Sequence, residues 1–308
     1  MAQLTTRNTS SSTRLKAGSR EPARASKTRL LFVLVGIAAV GLGVFAFIVL
    51  RSGDDGGADA TPELEHVHGL GVDSGDGVLY AGTHYGLFRI PASGPVTRVA
   101  NRVQDFMGFT VAEPGRFLAS GHPGEGQEGP GSVGLIESTD AGKTWKQMSL
   151  EGEADFHSLE FRHGRVYGMN AMTGEFMVSE DLKTWDTRTN LPMADFAVSP
   201  DDRDVILATT RDGLARSTDG GRSFRPVDGA PVVLLISWAE DGSVAAVTPD
   251  GSVYTAAGET AAWVRRGSLA GQPEAFTAET AGTMYAAAGG RILQSDDGGK
   301  SFTVRYGG

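Results

Sequence analysis

From residue 63 to the C-terminus, short apolar-rich runs of three to five residues alternate with turn residues, and the runs recur in three aligned sets. One set ends in Leu70-Gly-Val72, Phe109-Thr-Val111, Leu159-Glu-Phe161, Phe196-Ala-Val198, Ile236-Ser-Trp238 and Phe276-Thr-Ala278. A second reads Leu79-Tyr-Ala-Gly-Thr83, Phe117 to Gly121, Val166 to Asn170, Ile206 to Thr210, Val244 to Thr248 and Met284 to Ala288. The third reads Gly86 to Ile90, Gly134 to Ser138, Glu175 to Ser179, Gly213 to Ser217, Gly251 to Thr255 and Arg291 to Ser295. Asp76-Gly77, Asp212-Gly213, Asp241-Gly242 and Asp250-Gly251 supply hairpin turns between them. The pattern predicts strands throughout.

A turn segment follows the third strand. It reads Ser138 to Trp145, Ser179 to Trp185, Ser217 to Phe224 and Ser295 to Phe302, with starts 41, 38 and 78 residues apart. The last interval is twice 39, and a degenerate copy at Thr255 to Trp263 fills the gap. A period near 40 with three strands, a turn and a fourth strand is the sequence form of a propeller blade. The expected architecture is an all-β, six-bladed β-propeller with four-stranded blades over residues 63–308.

A different pattern precedes it. Leu30 to Leu50 is a run of 21 uncharged, mostly apolar residues, long enough as a helix to cross a bilayer core of roughly 30 Å. Seven basic groups lie on its N-terminal side, and Asp54, Asp55 and Asp59 follow it. The positive-inside rule therefore predicts a cytoplasmic basic tail at 1–29, one transmembrane helix at 30–50, a linker at 51–62 and an extracytoplasmic propeller. The expected location is the cell membrane, single-pass. A cleaved signal peptide would need a shorter apolar region leading into a small-residue site, and the A-x-A pattern at Ala58 and Ala60 lies well beyond the run.

Charge narrows the partners. Residues 52–308 hold 20 basic against 36 acidic groups, a balance that repels nucleic acid. Cys is absent, which excludes disulfides and thiolate chemistry.

A propeller binds at the mouth of its channel, where the loops entering the innermost strands meet those joining the second and third. Five of the six His residues fall on that face: His66, His68, His84, His122 and His157. His163 falls in a turn at the other end and is expected to be solvated. Aligned on the innermost strands, His68, Met107 and His157 share one column with Ala194, Leu234 and Glu274. Two positions earlier stand His66, Asp105 and Asp155. Alternation along a strand places both rings of His66-x-His68 on one side. Imidazoles with a thioether and carboxylates would suit copper or zinc, with His66, His68, His84, His122, His157 and Met107 as ligands. Solvated polar groups around a wet pore are the alternative. Tyr85, Asn170 and Arg211 occupy the same loops and are candidate contacts for a small ligand or glycan. Gly121 to Ser132 is a Gly-rich insertion in blade two, either a lid or a tolerated surface loop.

The turn segment resembles the Asp-box, or bacterial neuraminidase repeat, S-x-D-x-G-x-T-W. The resemblance implies that Asp140, Asp181, Asp219 and Asp297 are structural, accepting hydrogen bonds from their own turn far from any active site. His66-Val-His-Gly-Leu70, Thr83 to Phe88, Asp105-Phe-Met-Gly-Phe109 and Ser120-Gly-His-Pro123 are similar to bacterial exported proteins labelled glycosylhydrolase-like or exo-sialidase-like. A sialidase needs three Arg residues around a substrate carboxylate, a Tyr nucleophile with Glu, and an Asp acid/base. Only Arg211 stands at the mouth, and Phe88-Arg-Ile-Pro91 matches the family's F-R-I-P in letters but lies on a third strand. Hydrolysis by two carboxyl groups needs less, with Asp105, Asp155, Asp195 and Glu274 as candidates. Three functions stay open: a metal- or ligand-binding module, a glycoside hydrolase, and a protein-interaction scaffold.

Overall fold

The computed structural model describes residues 64, 66–101, 103–124 and 126–307. The tail, the apolar run and the linker expected at 1–62 lie outside the described residues. Among those described, no helix is long and apolar enough to cross a membrane.

The described residues form six four-stranded antiparallel sheets, each made of four strands consecutive in sequence. Blade one comprises β1 (Val67–Asp73), β2 (Val78–Thr83), β3 (Gly86–Ile90) and β4 (Thr97–Arg98). The innermost strands of the next five blades are β5 (Asp105–Glu113), β9 (Phe156–Arg162), β13 (Asp195–Val198), β17 (Leu235–Trp238) and β21 (Pro273–Ala278). Each blade is thus the predicted unit. The outermost strand of blade six is β24 (Thr303–Tyr306), so every blade is complete by itself. The ring closes by packing β1 against β21, without strand exchange.

Apolar faces meet between blades. Leu70, Leu79 and Ile90 of blade one pack with Ala275, Tyr285 and Ile292 of blade six, and Tyr80 with Phe106, Phe109 and Phe117 of blade two. Sheets that expose an apolar face on each side are stable only when neighbours cover both.

Polar contacts also join the blades. At every junction a side chain of one blade accepts a backbone N–H from the next. Asp73 accepts Gly115 N at 3.1 Å, Ser120 Oγ accepts Phe156 N at 3.0 Å, and Glu160 Oε2 accepts Val198 N at 2.9 Å. Asp195 Oδ2 then takes Ile236 N at 2.9 Å, Ser237 Oγ takes Ala278 N at 2.9 Å, and Glu274 Oε2 takes Val67 N at 3.1 Å. Five of these N–H groups belong to inner strands, which are sheet edges whose free N–H groups require acceptors, and Gly115 lies in the turn that follows β5.

The turns between third and fourth strands use their own side chains. In the first, Asp140 Oδ1 accepts Thr144 N and the Ser138 hydroxyl, both at 2.8 Å, while Gly142 N donates to Ser138 Oγ at 2.8 Å. Gly142 has φ +84°, a conformation that suits a residue without Cβ. Asp181, Asp219 and Asp297 hold their turns in the same way.

Candidate functional site at the channel mouth

Backbone irregularities build the site. Within the described residues the inner strands of blades one, two, three and six each carry one extra residue at the channel-mouth end. His68 interrupts the ladder between the pairs Val67–Thr83 and Gly69–Gly82, and Met107 does so between Phe106–Gly121 and Gly108–Ser120. His157 is skipped between Phe156–Asn170 and Ser158–Met169, as is Glu274 between Pro273–Ala288 and Ala275–Ala287. A bulge bends its strand and re-aims the extra side chain. Here all four residues line an axial cavity of about 500 Å³.

Four members of the aligned column, His68, Met107, His157 and Glu274, thus take equivalent positions, whereas Ala194 and Leu234 precede β13 and β17, and simple alternation is not the cause. His66 precedes β1 altogether, exposed and with φ +52°, a left-handed conformation uncommon outside glycine. Its ring still meets His84, with centroids 5.2 Å apart, while the His68 ring meets the same partner at 4.6 Å.

From there the contacts run unbroken across three blades. His68 Nε2 and His84 Nε2 face one another at 3.2 Å. His84 Nδ1 lies 2.6 Å from Asp105 Oδ1, and the other oxygen of Asp105 lies 3.0 Å from His122 Nδ1. His122 Nε2 is 3.3 Å from Asp155 Oδ2, which His157 Nε2 also reaches at 2.8 Å. All five mouth imidazoles and two of the candidate carboxylates thus form one connected chain. Asp105 stands opposite His122 in the ladder, next to Gly121, where a Cβ would collide with the Asp105 carbonyl oxygen.

Electrostatics follow from the pairing. Hydrogen bonds to Asp105 and Asp155 push the His122 imidazolium up to about 10, with burial opposing. Burial acts to raise Asp105, but His122 and His84 outweigh it and hold the carboxyl at about 2. Asp155 is buried more deeply, yet His122 and His157 hold it well below the usual carboxylate range. His68 is pulled down to about 4 by burial, then by the neighbouring His84, so it is a neutral imidazole at pH 7.

These shifts set a pH window. The His122 contribution to stability is complete below 6.5 and is lost as pH rises through about 10. The Asp105 contribution is complete above 3.8 and is lost as pH falls through about 2. In metal-free protein, the His122 ring Cε1 proton is expected to show no NMR titration step between about pH 5.5 and 8. A step near 6.5 would mean that the double carboxylate clamp on this ring does not form.

The remaining candidates lie elsewhere or do other work. Asp195 accepts the Ser158 hydroxyl at 2.8 Å and the backbone N–H groups of Phe196 and Ile236, both at 2.9 Å. Burial pushes it up to about 6. Glu274 lines the cavity but accepts Val67 N at 3.1 Å and Gly290 N at 3.4 Å. Asn170 is buried and uses Oδ1 to accept Asp155 N and Met172 N, each at 3.1 Å, so it positions Asp155. Arg211 stands 91 % exposed beside Asp212 and does not join the cluster, and Tyr85 is an exposed side chain on the rim. His163 is exposed as expected, although its Nε2 also meets the Ser199 carbonyl at 2.8 Å.

Other site residues carry no signal in sequence. Buried Gln104 donates from its side-chain amide to the His122 carbonyl, and Ser120 fixes the Phe156 backbone behind Asp155. Glu160, pushed by burial up to about 7, pairs with Arg162 at 3.0 Å in the channel wall. Among the described residues no group of three or more His, Asp or Glu side chains is placed to hold a metal ion.

No family model and no curated protein matches the chain. Solved structures do match. YCF48 bound to D1 peptide aligns at 15 % identity over 79 % of this chain and 83 % of that one, with a TM-score of 0.50. A GH74 xyloglucanase from Xanthomonas campestris aligns at 15 % identity over 78 % of this chain but only 45 % of its own length, with a TM-score of 0.53. A gluconolactonase from Xanthomonas campestris aligns at 10 % identity over 78 % and 86 % of the two chains, with a TM-score of 0.60. At such identities the likeness establishes the architecture, and the chain is a six-bladed β-propeller.

Proposed function

We propose that this chain is a membrane-anchored, extracytoplasmic binding propeller of the Asp-box type that takes a transition-metal ion, zinc or copper, at its channel mouth. One observation carries the reading: two imidazole nitrogens, His68 Nε2 and His84 Nε2, face each other at 3.2 Å with a carboxylate behind one of them. Nitrogens bound to one tetrahedral ion at about 2.0–2.1 Å stand about 3.3 Å apart. A ligating imidazole usually donates its other N–H to a carboxylate, as His84 can to Asp105. Burial keeps His68 neutral at pH 7, so an ion need displace only the one proton that the facing Nε2 atoms share. His66, whose ring centroid lies 5.2 Å from that of His84, is the candidate third ligand, from a segment outside the strand.

The anchor rests on residues 30–50 and the positive-inside rule. The Asp-box assignment rests on the four self-bonded Ser-x-Asp turns. The glycoside hydrolase reading is less well supported. Asp105 and Asp155 are both held ionised by imidazoles, which suits neither to act as a general acid, and Asp195 and Glu274 have oxygens committed to backbone N–H groups. The matched propellers include a peptide-bound protein and sugar-acting enzymes, so fold does not choose between functions.

The test is metal retention by purified full-length protein after loading with zinc or copper and dialysis. The wild type is expected to keep the ion, and a His68→Ala/His84→Ala variant to keep at least about one equivalent less. Equal retention by the two proteins would remove the assignment.

A further inference from the structure

We infer that Arg162 and Glu160 form a strap across the far end of the channel, fastened while Glu160 is ionised and released when it takes up a proton. The inner strands run from the mouth to this end, and Arg162 is the last residue of β9. Its guanidinium reaches out of its own blade. Nη2 donates to the Trp238 carbonyl at 3.0 Å and meets Glu240 Oε1 at 3.0 Å, both in blade five. Nε lies 3.0 Å from Glu160 Oε1, and the other oxygen of Glu160 accepts Val198 N of blade four at 2.9 Å. The six N–H contacts described above join adjacent blades, whereas this pair ties blades three, four and five together. None of these groups belongs to the imidazole cluster, so the strap stands whether or not the mouth takes a metal.

Glu160, Arg162, Trp238 and Glu240 all line the axial cavity, which puts the strap on the channel wall. The two carboxylates that hold Arg162 are unequal. Glu160 is 20 % exposed at its side chain and Glu240 is 80 % exposed. An ion pair as open as the second holds little against water, so Glu160 decides where the guanidinium rests. Burial pushes Glu160 up to about 7, opposed by Arg162 and by Val198 N, while Asp195 of β13 and Glu240 act in the same direction as burial. The other titratable groups around the strap are Glu279 on the cavity wall, Tyr167 opposite Glu160 in the ladder, and His163, whose Nε2 meets the Ser199 carbonyl at 2.8 Å. Because the folded value lies above the usual one, the Glu160 contribution to stability is complete below 4.5 and is lost as pH rises through about 7. The fastened, charged form is thus held against a solvation penalty. Protonation removes the charge that Arg162 pairs with, the guanidinium follows Glu240 toward solvent, and the channel gains an opening at the end away from the imidazoles.

The chain has no Cys, so one introduced thiol reports on access to the channel. Thr277→Cys places it on the cavity wall, and metal-free full-length protein is labelled with a small methanethiosulfonate. The rate is divided by that of free cysteine in the same buffer and compared at pH 8 and pH 6. A rise of at least about fivefold is expected at pH 6. Adding Glu160→Gln, which is neutral at both pH values, is expected to give the fast rate at both. Adding His163→Gln is expected to leave the pH response intact. In the wild type, the Glu160 carboxyl carbon is expected to titrate in NMR with a midpoint near 7. Equal relative rates at the two pH values, a response abolished by His163→Gln, or a Glu160 midpoint near 4.5 would overturn the strap.

Discussion

An Asp195→Ala substitution is expected to destabilise the propeller by about 2–4 kcal/mol while leaving metal binding in the folded protein unchanged. Its carboxylate accepts the Ser158 hydroxyl and two backbone N–H groups, one of them Ile236 N of the next blade. Truncation strands the two backbone N–H groups in the channel wall, while the Ser158 hydroxyl can rotate to another acceptor, and about 1–2 kcal/mol for each stranded N–H gives that loss. For a domain of this size the melting temperature falls by about 2–4 °C per kcal/mol, so a drop of roughly 5–15 °C is anticipated. The effect has a pH signature. Asp195 is raised in the folded state to about 6, so its contribution is largest below 3.8 and diminishes as pH climbs through 6. The gap between wild type and variant is therefore expected to be wider at pH 5 than at pH 8 in urea unfolding. An unshifted melt together with lost binding would reverse the assignment and make Asp195 a site residue.

Gly121→Ala is expected to combine a stability loss of about 3 kcal/mol with at least a tenfold fall in zinc affinity. Gly121 has φ +143°, and a Cβ there would sit 2.0 Å from the Asp105 carbonyl oxygen and 2.8 Å from Met107 N. The methyl group must push the Asp105 backbone aside, and Asp105 links His84 to His122. Gly131→Ala in the same insertion is the control. Nothing lies within 4 Å of its Cβ position, so its stability is expected to stay within about 0.5 kcal/mol of wild type. Thermal melts and zinc titrations on the two variants make the comparison. If they behave alike, the close crossing of strands at Asp105 is not what organises the mouth.

The candidate site was only partly legible in the chain. The clustering of His66, His68, His84, His122 and His157 on one face followed from the repeat alone, because a blade's loops alternate between the two ends of the channel. Alternation along a strand was the wrong reason for the aim of His68. A bulge does that work, and bulges depend on how two strands pair rather than on the residues of either. The four proposed carboxylates also looked equivalent as letters. Asp105 and Asp155 meet imidazoles from other strands, while Asp195 and Glu274 meet N–H groups of the adjoining blade. Nothing local distinguishes these fates.

Sequence by itself determined the blade. A forty-residue period, three apolar-rich runs and a self-bonding Ser-x-Asp turn are local features, and each unit folds the same way because its short-range contacts repeat. Tertiary structure decided everything that depends on two blades at once. It fixed which polar side chain accepts its neighbour's N–H, how the ring closes on β1 and β21, and which imidazoles come within reach of one another. Those are distances between residues remote in sequence, such as Val67 and Glu274, and only closure of the ring makes them short.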